Sequence, residues 1–338
     1  MAVGEILYDA RWGGGPGERR GSLGMARFSR ELLDRLPGVQ ALESEFPVLH
    51  PLEPLWLISV LARRRPAVYV SPGYNATPWS PVPMILTVHD LILLRFAEER
   101  TAAKLAYFAA IVRPAVRHAA RVLTLSEYSK GEIVAWAGVP PEKVVVVGCG
   151  VSAAFRPAGP VYHAAWPYLI YAGNRKRHKN VHGLLAALAR SRSSRDCGLV
   201  LSGPPDDELT AAARSLGIAD RVAFLGAVDD SALAAAYRGA IALVFPSLYE
   251  GFGLPAAEAM AVGTPVIASR TTGLGETVGD AGILVDPQNE DAIAAAIDLV
   301  AEDDALRREL SARGRQRATE YTWERVAEHA RATIAEVT

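Results

Sequence analysis

The sequence predicts an α/β protein made of two Rossmann-like domains, each with a doubly wound parallel sheet, whose strand ends face a central cleft. Short continuous apolar runs recur along the chain and are typical of strands buried on both faces. Helix-length segments separate these runs, and such alternation favours a parallel sheet covered on both sides. The alternation restarts after residue 160, which divides the 338 residues into two domains of ordinary size.

The predicted strands are rich in β-branched residues and end at Gly, Pro, Ser or Asp. They cover 4–9, 67–71, 84–90, 121–126 and 143–148, and then 168–173, 198–203, 221–226, 241–247, 265–269 and 282–286. Helices are predicted at 25–36, 52–64, 102–119, 127–137, 181–190, 207–216, 230–238, 255–262 and 290–300, with a helical segment over 301–335. The domains are placed at 1–158 and 159–318, joined by the Pro-rich stretch 154–167. A C-terminal helix at 319–338 is expected to pack back toward the first domain.

Charge and composition exclude several classes of function. Residues 1–158 hold 18 Lys and Arg against 14 Asp and Glu, and the remainder holds 18 against 23, so net charges of +4 and −5 give the total of −1. No basic stripe interleaved with aromatic residues indicates a nucleic-acid partner. The two cysteines lack metal-ligand spacing, and no signal peptide or membrane-spanning run is evident, so a cytoplasmic location is expected. Nothing in the sequence indicates an oligomeric state.

One segment after a predicted strand combines two carboxylates with a glycine loop and a helix start. Glu250 precedes Gly251 and Gly253, Pro255 is the expected first helical residue, and Glu258 follows in about the first turn. Loop glycines allow backbone N–H groups close to a ligand, and a helix N-terminus favours an anion. The pattern suits a sugar nucleotide whose hydroxyl groups donate to the carboxylates. The alternative is that Glu258 only caps the helix and Glu250 is a solvated loop residue.

This segment resembles the E-x7-E signature of retaining glycosyltransferases with the GT-B fold, in family 4. The matching residues are Pro246-Ser247, Glu250 to Pro255, Glu258-Ala259, Gly263 to Val266, Gly279 to Gly282 and Asp286-Pro287. The resemblance implies a GT-B fold in which the first domain binds an acceptor and the second binds a nucleotide-sugar donor. Within the family, bacterial mannosyltransferases of polysaccharide and O-antigen assembly look most similar.

The resemblance also implies roles for individual residues of the segment. Glu250 is expected near the donor sugar, and Glu258 is expected to bind the ribose. The backbone of Phe252, Gly253 and Leu254 is expected to face the donor sugar and phosphate.

A basic loop follows the strand that opens the second domain. Segment 171–180 carries several cations, which can neutralise a pyrophosphate through charge and hydrogen bonds, although a solvated basic turn is the alternative. The resemblance implies an Arg and a Lys here that stabilise the leaving group. Lys179 matches well, whereas Asn174 stands where many relatives have Arg, so Arg175 is the candidate. Further donor-binding positions are expected at Gly173, Asn174 and Gly203.

Polar residues at two strand ends of the first domain are further candidates. His89 and Asp90 follow one strand and Ser126 follows another. A lone histidine is often structural, but related enzymes hold a histidine against the donor sugar at this place. The resemblance therefore implies a catalytic-site role for His89, with Asp90 orienting it, and a weaker match at Ser126.

A glycine-rich loop at 12–24 precedes the first helix. Gly14, Gly15 and Gly24 are candidates for an acceptor or phosphate loop, and a mobile lid is the alternative. Relatives have a shorter turn followed by Arg-aromatic-x-Arg-Glu-Leu, and residues 27–32 match that tail.

Two other patterns have ordinary explanations, and a third is compatible with two interpretations. The stretch 273–279 imitates a dinucleotide fingerprint but follows the second glutamate in the order expected of the transferase. The pairs 206–207 and 229–230 resemble a metal site but lie at expected helix starts, where acidic residues cap the helix, so no metal is predicted. Segments 52–66 and 104–121 combine apolar and basic residues, and both an interfacial helix at the inner membrane face and an ordinary surface helix fit them.

The resemblance thus implies a metal-independent, cofactor-free, retaining transferase. It is expected to move a hexose, first of all mannose from GDP-mannose, to a saccharide or lipid-linked saccharide acceptor. UDP-glucose, UDP-N-acetylglucosamine and a deoxyTDP-sugar remain open as donors. The rival predictions are a sugar-nucleotide epimerase, a phosphorylase-like enzyme of the same fold, and a non-catalytic nucleotide-sugar-binding protein.

Overall fold

The structure is a computed structural model that describes residues 5–13, 23–44, 46–195 and 197–338. It divides into unit 1, Met1–Gly150 with Trp323–Thr338, and unit 2, Val151–Thr322. Segment 151–158, placed in the first domain by the sequence, therefore belongs to unit 2. Its Phe155 is buried with its ring centroid 5.9 Å from that of Tyr237, which explains the difference.

The described part of unit 1 contains one parallel six-stranded sheet. Its strands are β1 Ile6–Asp9, β2 Val39–Leu42, β3 Val68–Ser71, β4 Met84–Thr87, β5 Arg121–Thr124 and β6 Val144–Val146. They lie in the order β2-β1-β3-β4-β5-β6. The direction of winding therefore reverses between β1 and β3.

Helices connect the strands of this sheet. They are α1 Leu23–Arg35, α2 Glu53–Arg64, α3 Ile92–Arg95, α4 Ala102–Tyr107, α5 Arg113–His118 and α6 Glu127–Ala137. The segment predicted as one helix over 102–119 contains a π-helical stretch, Phe108–Val112, between α4 and α5. Strand β2 was not predicted, because two of its four residues are exposed and it lacks an apolar run.

Unit 2 contains a second parallel sheet of six strands within its described residues. The strands are β7 Tyr168–Tyr171, β8 Gly198–Leu201, β9 Val222–Phe224, β10 Ala242–Phe245, β11 Val266–Ser269 and β12 Ile283–Val285. Their order, β12-β11-β10-β7-β8-β9, is that of dinucleotide-binding doubly wound domains. The winding reverses between β7 and β10. The two sheets confirm the predicted fold class.

The helices of unit 2 agree closely with the predicted ones. They are α7 Val181–Arg190, α8 Asp207–Ser215, α9 Asp230–Gly239, α10 Leu254–Val262, α11 Thr272–Val278, α12 Glu290–Glu302 and α13 Asp304–Ala318. The cap prediction is confirmed, since Asp206 accepts the N–H of Leu209 at 3.0 Å and Asp229 that of Ala232 at 2.8 Å. Helix α11 was not predicted as a helix, and stretch 273–279 lies mostly within it.

The last helix, α14 Trp323–Ala335, belongs to unit 1 and packs on α1. The ring of Trp323 lies 6.0 Å from that of Phe28, and Arg35 Nε lies 3.0 Å from Glu324 Oε1. Gly150 is required at this contact, because a Cβ there would lie 2.5 Å from the Trp323 indole. Over the described residues, no helix combines the length and apolar composition needed to cross a membrane.

Candidate active site

The loops that follow β7 and β10 carry the main candidate site of unit 2. These two strands are neighbours in the sheet, and the winding reverses between them. In open parallel sheets, a crevice forms at such a reversal point beyond the carboxyl ends of the strands, and ligands bind there. The basic loop after β7 and the glycine loop after β10 therefore meet at the place where a nucleotide is expected.

Two predicted residues form an ion pair at this point. Lys179 Nζ lies 2.6 Å from Glu250 Oε1, and the two side chains are only 13% and 12% exposed. The Lys179 ammonium also lies 5.5 Å from the ring centroid of Phe245, the last residue of β10. Because little water screens this pair, the two side chains hold each other in defined positions. The structure thus brings together two candidate residues from separate loops.

The start of α10 depends on a glycine. Gly253 has a φ of 97°, and a Cβ there would lie 2.4 Å from Leu274 Cδ1, so a larger residue would be strained and obstructed. Leu254 is the first helical residue and Pro255 the second. The N–H groups at a helix start lack intrahelical partners and can receive an anion. Phe252 packs its ring 5.2 Å from that of Tyr321, so its side chain anchors the loop.

Glu258 lies deeper in α10 than predicted. Because the helix begins at Leu254, Glu258 falls in its second turn, where it is buried. The hydroxyl of Tyr237 lies 3.5 Å from Glu258 Oε2. Burial, with the nearby carboxylate, raises the pKa of Tyr237 well above its ordinary value, so the phenol stays protonated and can donate to Glu258. Tyr237 therefore orients the second glutamate, a contact that the sequence did not indicate.

Arg175 contacts a different loop from Lys179. Its Nη2 donates to the carbonyl oxygen of Ser202 at 2.9 Å, and its Nη1 lies 3.4 Å from Asp206 Oδ2. The guanidinium carbon lies 4.9 Å from the ring centroid of Phe224. Gly203 has a φ of 90°, and a Cβ there would lie 3.4 Å from Arg175 Nη2. Arg175 and Gly203 are thus brought together after β8, whereas Lys179 bonds to the loop after β10.

Gly173 and Asn174 shape the basic loop. Gly173 has a φ of 139° and donates its N–H to Ser202 Oγ at 3.0 Å. The carbonyl oxygen of Asn174 accepts the hydroxyl of Tyr171 at 2.5 Å. Both residues are exposed, so their backbone is fixed while one side remains open to solvent.

His89 lies in unit 1 after β4 and is buried, with 6% exposure. Its Nε2 lies 2.8 Å from the carbonyl oxygen of Pro72, which can only accept, so Nε2 carries the proton and Nδ1 is left as an acceptor. Burial lowers the pKa of His89 to about 4. The ring of Phe28, from the Arg-aromatic-x-Arg-Glu-Leu motif, stands edge-on at 5.0 Å. At neutral pH His89 is therefore an uncharged hydrogen-bonding group rather than a cationic acid.

The two weaker candidates of unit 1 have local structural contacts. Asp90 Oδ1 accepts the N–H of Ile92 at 3.0 Å, so this carboxylate supports the following turn. Ser126 is the N-cap of α6 and accepts the N–H of Ser129 at 3.1 Å. The Pro72 carbonyl described above also fixes the His89 ring.

Of the three glycine-loop candidates, Gly24 lies within the described residues. Gly14 and Gly15 lie outside the described residues. Gly24 lies in the first turn of α1 rather than in the loop, because the helix begins at Leu23, and a Cβ at Gly24 would meet nothing within 4 Å. Gly24 is thus exposed on a helix.

A buried charge cluster in unit 1 was missed by the sequence analysis. Arg11 donates through Nε to Asp9 Oδ1 at 2.8 Å and through Nη2 to Glu53 Oε1 at 2.7 Å, and Tyr69 donates to Asp9 Oδ2 at 2.7 Å. Burial, only partly offset by Arg11, raises the pKa of Glu53 to about 7. The N–H of Leu49, a residue with a φ of 61°, donates to Glu53 Oε2 at 2.8 Å. The cluster holds the end of β1 against the start of α2.

Across the described ranges, no group of three or more His, Cys, Asp or Glu side chains is arranged to hold a metal ion.

Comparison with known proteins defines the class. The family described as "Glycosyl transferases group 1" matches residues 165–317, and that described as "Glycosyltransferase Family 4" matches 10–155. The O-antigen chain mannosyltransferase B of Escherichia coli is 32% identical over 293 residues, which cover 82% of this chain and 76% of that protein. The MMP alpha-(1->4)-mannosyltransferase of Mycolicibacterium hassiacum is 36% identical over 231 residues, 65% of this chain and 55% of that protein. Sucrose-phosphate synthase from Thermosynechococcus elongatus has the same fold, with a TM-score of 0.79, 23% identity and 98% coverage of both chains.

The fold and the matches define an enzyme of the GT-B class that transfers glycosyl groups. The chain belongs to glycosyltransferase family 4, the glycosyl transferases group 1.

Proposed function

We propose that this glycosyltransferase moves a hexose, in the first instance mannose from GDP-mannose, to a saccharide or lipid-linked saccharide with retention of the anomeric configuration. The observation that carries the proposal is the Lys179–Glu250 ion pair at the reversal point of the unit 2 sheet. Nucleotides and dinucleotides are among the ligands that bind at such reversal points of open α/β sheets, which supports a nucleotide-sugar donor here.

Charge complementarity supports Lys179 and Arg175 as the residues that bind the diphosphate leaving group. When the glycosyl bond breaks, negative charge develops on the departing diphosphate, and fixed cations that stabilise it supply a large part of catalysis. Lys179 is held in place by Glu250 before the donor arrives, so little reorganisation is needed. The reaction is proposed to need no metal ion, with Lys179 and Arg175 as the groups that stabilise the diphosphate.

The two glutamates serve binding and orientation in this proposal. Glu250, beside Lys179, accepts hydrogen bonds from hydroxyl groups of the donor sugar. Glu258, buried beside Tyr237, accepts those of the ribose. His89 is neutral and offers Nδ1 as an acceptor, which suits a sugar hydroxyl better than proton donation. Retention then follows from attack on the face that the diphosphate leaves, with the leaving phosphate taking the acceptor proton.

The choice of mannose rests on the relatives. Two of them, the Escherichia coli and Mycolicibacterium hassiacum proteins, are named as mannosyltransferases. A glycogen synthase of Mycobacterium tuberculosis is 31% identical over 280 residues, which keeps glucose donors in the comparison. GDP-mannose therefore comes first, and UDP-glucose, UDP-N-acetylglucosamine and a deoxyTDP-hexose follow.

A donor panel tests the proposal. The protein is incubated with each of the four donors, with and without an alkyl α-mannoside acceptor and with and without EDTA. Release of nucleoside diphosphate is followed, and the product is examined by mass spectrometry and by NMR of the anomeric proton. We expect transfer from GDP-mannose, an α-linked product and no effect of EDTA.

The other outcomes separate the rivals. A new nucleotide sugar formed without acceptor indicates an epimerase, and dependence on inorganic phosphate indicates a phosphorylase. Binding of a donor with no release of nucleoside diphosphate indicates a sensor. Each of these results contradicts the proposed transfer.

A further inference from the structure

The loop that carries Glu250 is hydrogen-bonded at several points to the segment that begins at the end of β11, and the N–H of its Leu248 also donates to the carbonyl of His178 at 2.7 Å. Segment 269–277, the end of β11 and most of α11, contacts loop 247–252 at four points. Ser269 Oγ donates to the Ser247 carbonyl at 2.5 Å, Thr277 Oγ1 donates to the Phe252 carbonyl at 2.6 Å, and the other two contacts involve Glu250. Segment 269–277 therefore stabilises the conformation of loop 247–252 through hydrogen bonds.

Both backbone groups of Glu250 are bound by one dipeptide of this support. The Glu250 N–H donates to Thr272 Oγ1 at 3.2 Å, and the N–H of Gly273 donates to the Glu250 carbonyl at 3.1 Å. Glu250 lies between β10 and α10, outside any helix or strand. These two hydrogen bonds thus fix the peptide planes on both sides of its Cα, and with them the direction of its side chain.

Thr272 adopts an unusual backbone conformation to make these contacts. Its φ is 65°, in the left-handed region that a β-branched residue rarely occupies. Strained residues of this kind persist where the surrounding structure requires them, and they cluster at functional sites. A glycine would adopt the same φ without strain but would lack the hydroxyl that receives the Glu250 N–H.

We infer that Thr272 is a positioning residue of the transfer reaction, which acts by holding the backbone of Glu250 so that its carboxylate stays against Lys179. This inference rests on the proposed function, because it takes Glu250 as the residue that orients the donor sugar. A turn that is only structural would affect folding, whereas a positioning residue affects turnover in a folded protein.

Three substitutions at Thr272 separate these roles. Thr272→Val keeps the size and the β-branch but removes the acceptor oxygen, Thr272→Gly relieves the strain and also removes it, and Thr272→Ser keeps it. Thr271→Val is the matched control, because Thr271 is exposed, is the preceding residue and makes no side-chain cap hydrogen bond.

A small displacement of a catalytic group lowers turnover by up to about 100-fold. We expect Thr272→Val and Thr272→Gly to lower kcat by about 10- to 100-fold, on that principle, with the Kd for nucleoside diphosphate within about threefold of wild type. Thr272→Ser and Thr271→Val should keep kcat within about threefold of the wild-type value. Thr272→Gly should unfold at no lower temperature than Thr272→Val, so that lost activity is separated from lost stability.

Glu250→Gln, measured beside Thr272→Val, separates a failure of the positioning role from a failure of the proposed function. If Glu250→Gln is inactive while Thr272→Val keeps wild-type kcat, the positioning role is wrong and the proposed function stands. If the wild-type protein transfers no sugar, the proposed function fails, and a crystal structure of Thr272→Val decides the positional claim. A Lys179–Glu250 distance unchanged from 2.6 Å in that variant overturns it, and a displaced Glu250 supports it.

Discussion

The ammonium group of Lys179 and the carboxylate of Glu250 are 71 positions apart in the chain and 2.6 Å apart in the structure. Each follows a strand, and the two strands, β7 and β10, are neighbours only because the sheet reverses its winding between them. The ion pair therefore lies at the reversal point of the sheet, where open α/β sheets ordinarily bind ligands.

Removal of the Glu250 charge should abolish most of the transfer activity. Glu250→Gln keeps the size of the side chain but loses the charge-assisted hydrogen bonds to sugar hydroxyls and the attraction to Lys179. We expect kcat to fall by about 100-fold, the scale seen when a preorganised polar group is lost from an active site. Steady-state kinetics with the active donor measure this change.

Asp291→Asn is the matched control for that substitution. Asp291 Oδ1 lies 2.9 Å from Arg190 Nη1 in an ion pair on the exposed surface of α7 and α12. Surface pairs contribute little, so kcat should stay at the wild-type level. A Glu250→Gln protein as active as this control contradicts the role given to Glu250.

Substitution of Glu258 should weaken recognition of the ribose. Glu258→Gln loses a charged acceptor, and such hydrogen bonds contribute enough for the Kd of GDP to rise by about tenfold. Tyr237→Phe removes only the hydroxyl group that contacts the Glu258 carboxylate, and it should raise the Kd of GDP by a few-fold. Isothermal titration with GDP measures both changes.

The 2′-deoxy analogue of GDP makes this test specific. Wild-type protein should prefer GDP to the analogue, and Glu258→Gln should lose that preference because the hydroxyl acceptor is gone. Equal discrimination by both proteins would show that Glu258 does not contact the ribose 2′ position.

Much of this site follows from local sequence features. Lys179, Glu250 and His89 follow predicted strands, whose ends are where parallel sheets bind ligands, and the family resemblance then selected these individual residues. What the sequence could not provide were the tertiary partners. The pairing of Tyr237 with Glu258 and of Asp206 with Arg175 depends on how separate helices and loops pack, and nothing in the local pattern encodes it.

The elements missed by the sequence analysis have similar causes. Strand β2 is an edge strand with exposed residues, so it lacks the continuous apolar run of a buried strand. Helix α11 contains two glycines and begins at the strained Thr272, so its pattern resembles a loop. The buried pair of Arg11 and Glu53 joins residues from different elements, and charged residues in sequence are ordinarily expected at the surface.

Acid should destabilise the protein through His89. Burial lowers its pKa from 6.5 to about 4, so between these pH values the imidazole is protonated in the unfolded chain and neutral in the folded protein. The stability contributed by the neutral ring is fully present above pH 6.5 and is lost as the pH falls toward about 4. His89→Asn should flatten this decline in urea unfolding series between the two values, and the exposed His182→Asn should not. A decline equally steep in His89→Asn contradicts the assignment.

The stability contributed by Glu53 should change with pH in the opposite direction to that contributed by His89. Its pKa is raised from 4.5 to about 7, so its contribution to stability is fully present below 4.5 and is lost as the pH rises through about 7. The charged and titratable groups that act on it are Arg11, Asp9, Tyr69 and Tyr107.

Glu53→Gln tests this prediction because it keeps the hydrogen-bonding shape and removes the titration. Relative to wild type, the variant should gain stability as the pH rises from 4.5 to about 7, as measured by urea unfolding at each pH. The same series with the exposed Glu142→Gln serves as control. A constant difference between Glu53→Gln and wild type over this range would show that Glu53 does not titrate there.

The central claim is that the crevice marked by Lys179 and Glu250 binds the diphosphate of a nucleotide-sugar donor. Isothermal titration of wild-type protein and Lys179→Met with GDP, GDP-mannose, UDP and UDP-glucose tests it most directly. The variant loses a cation and leaves Glu250 unpaired beside the phosphates, so the Kd of the preferred nucleotide should rise by at least about tenfold. No binding of any nucleotide by the wild-type protein, or the same Kd in both proteins, contradicts the claim.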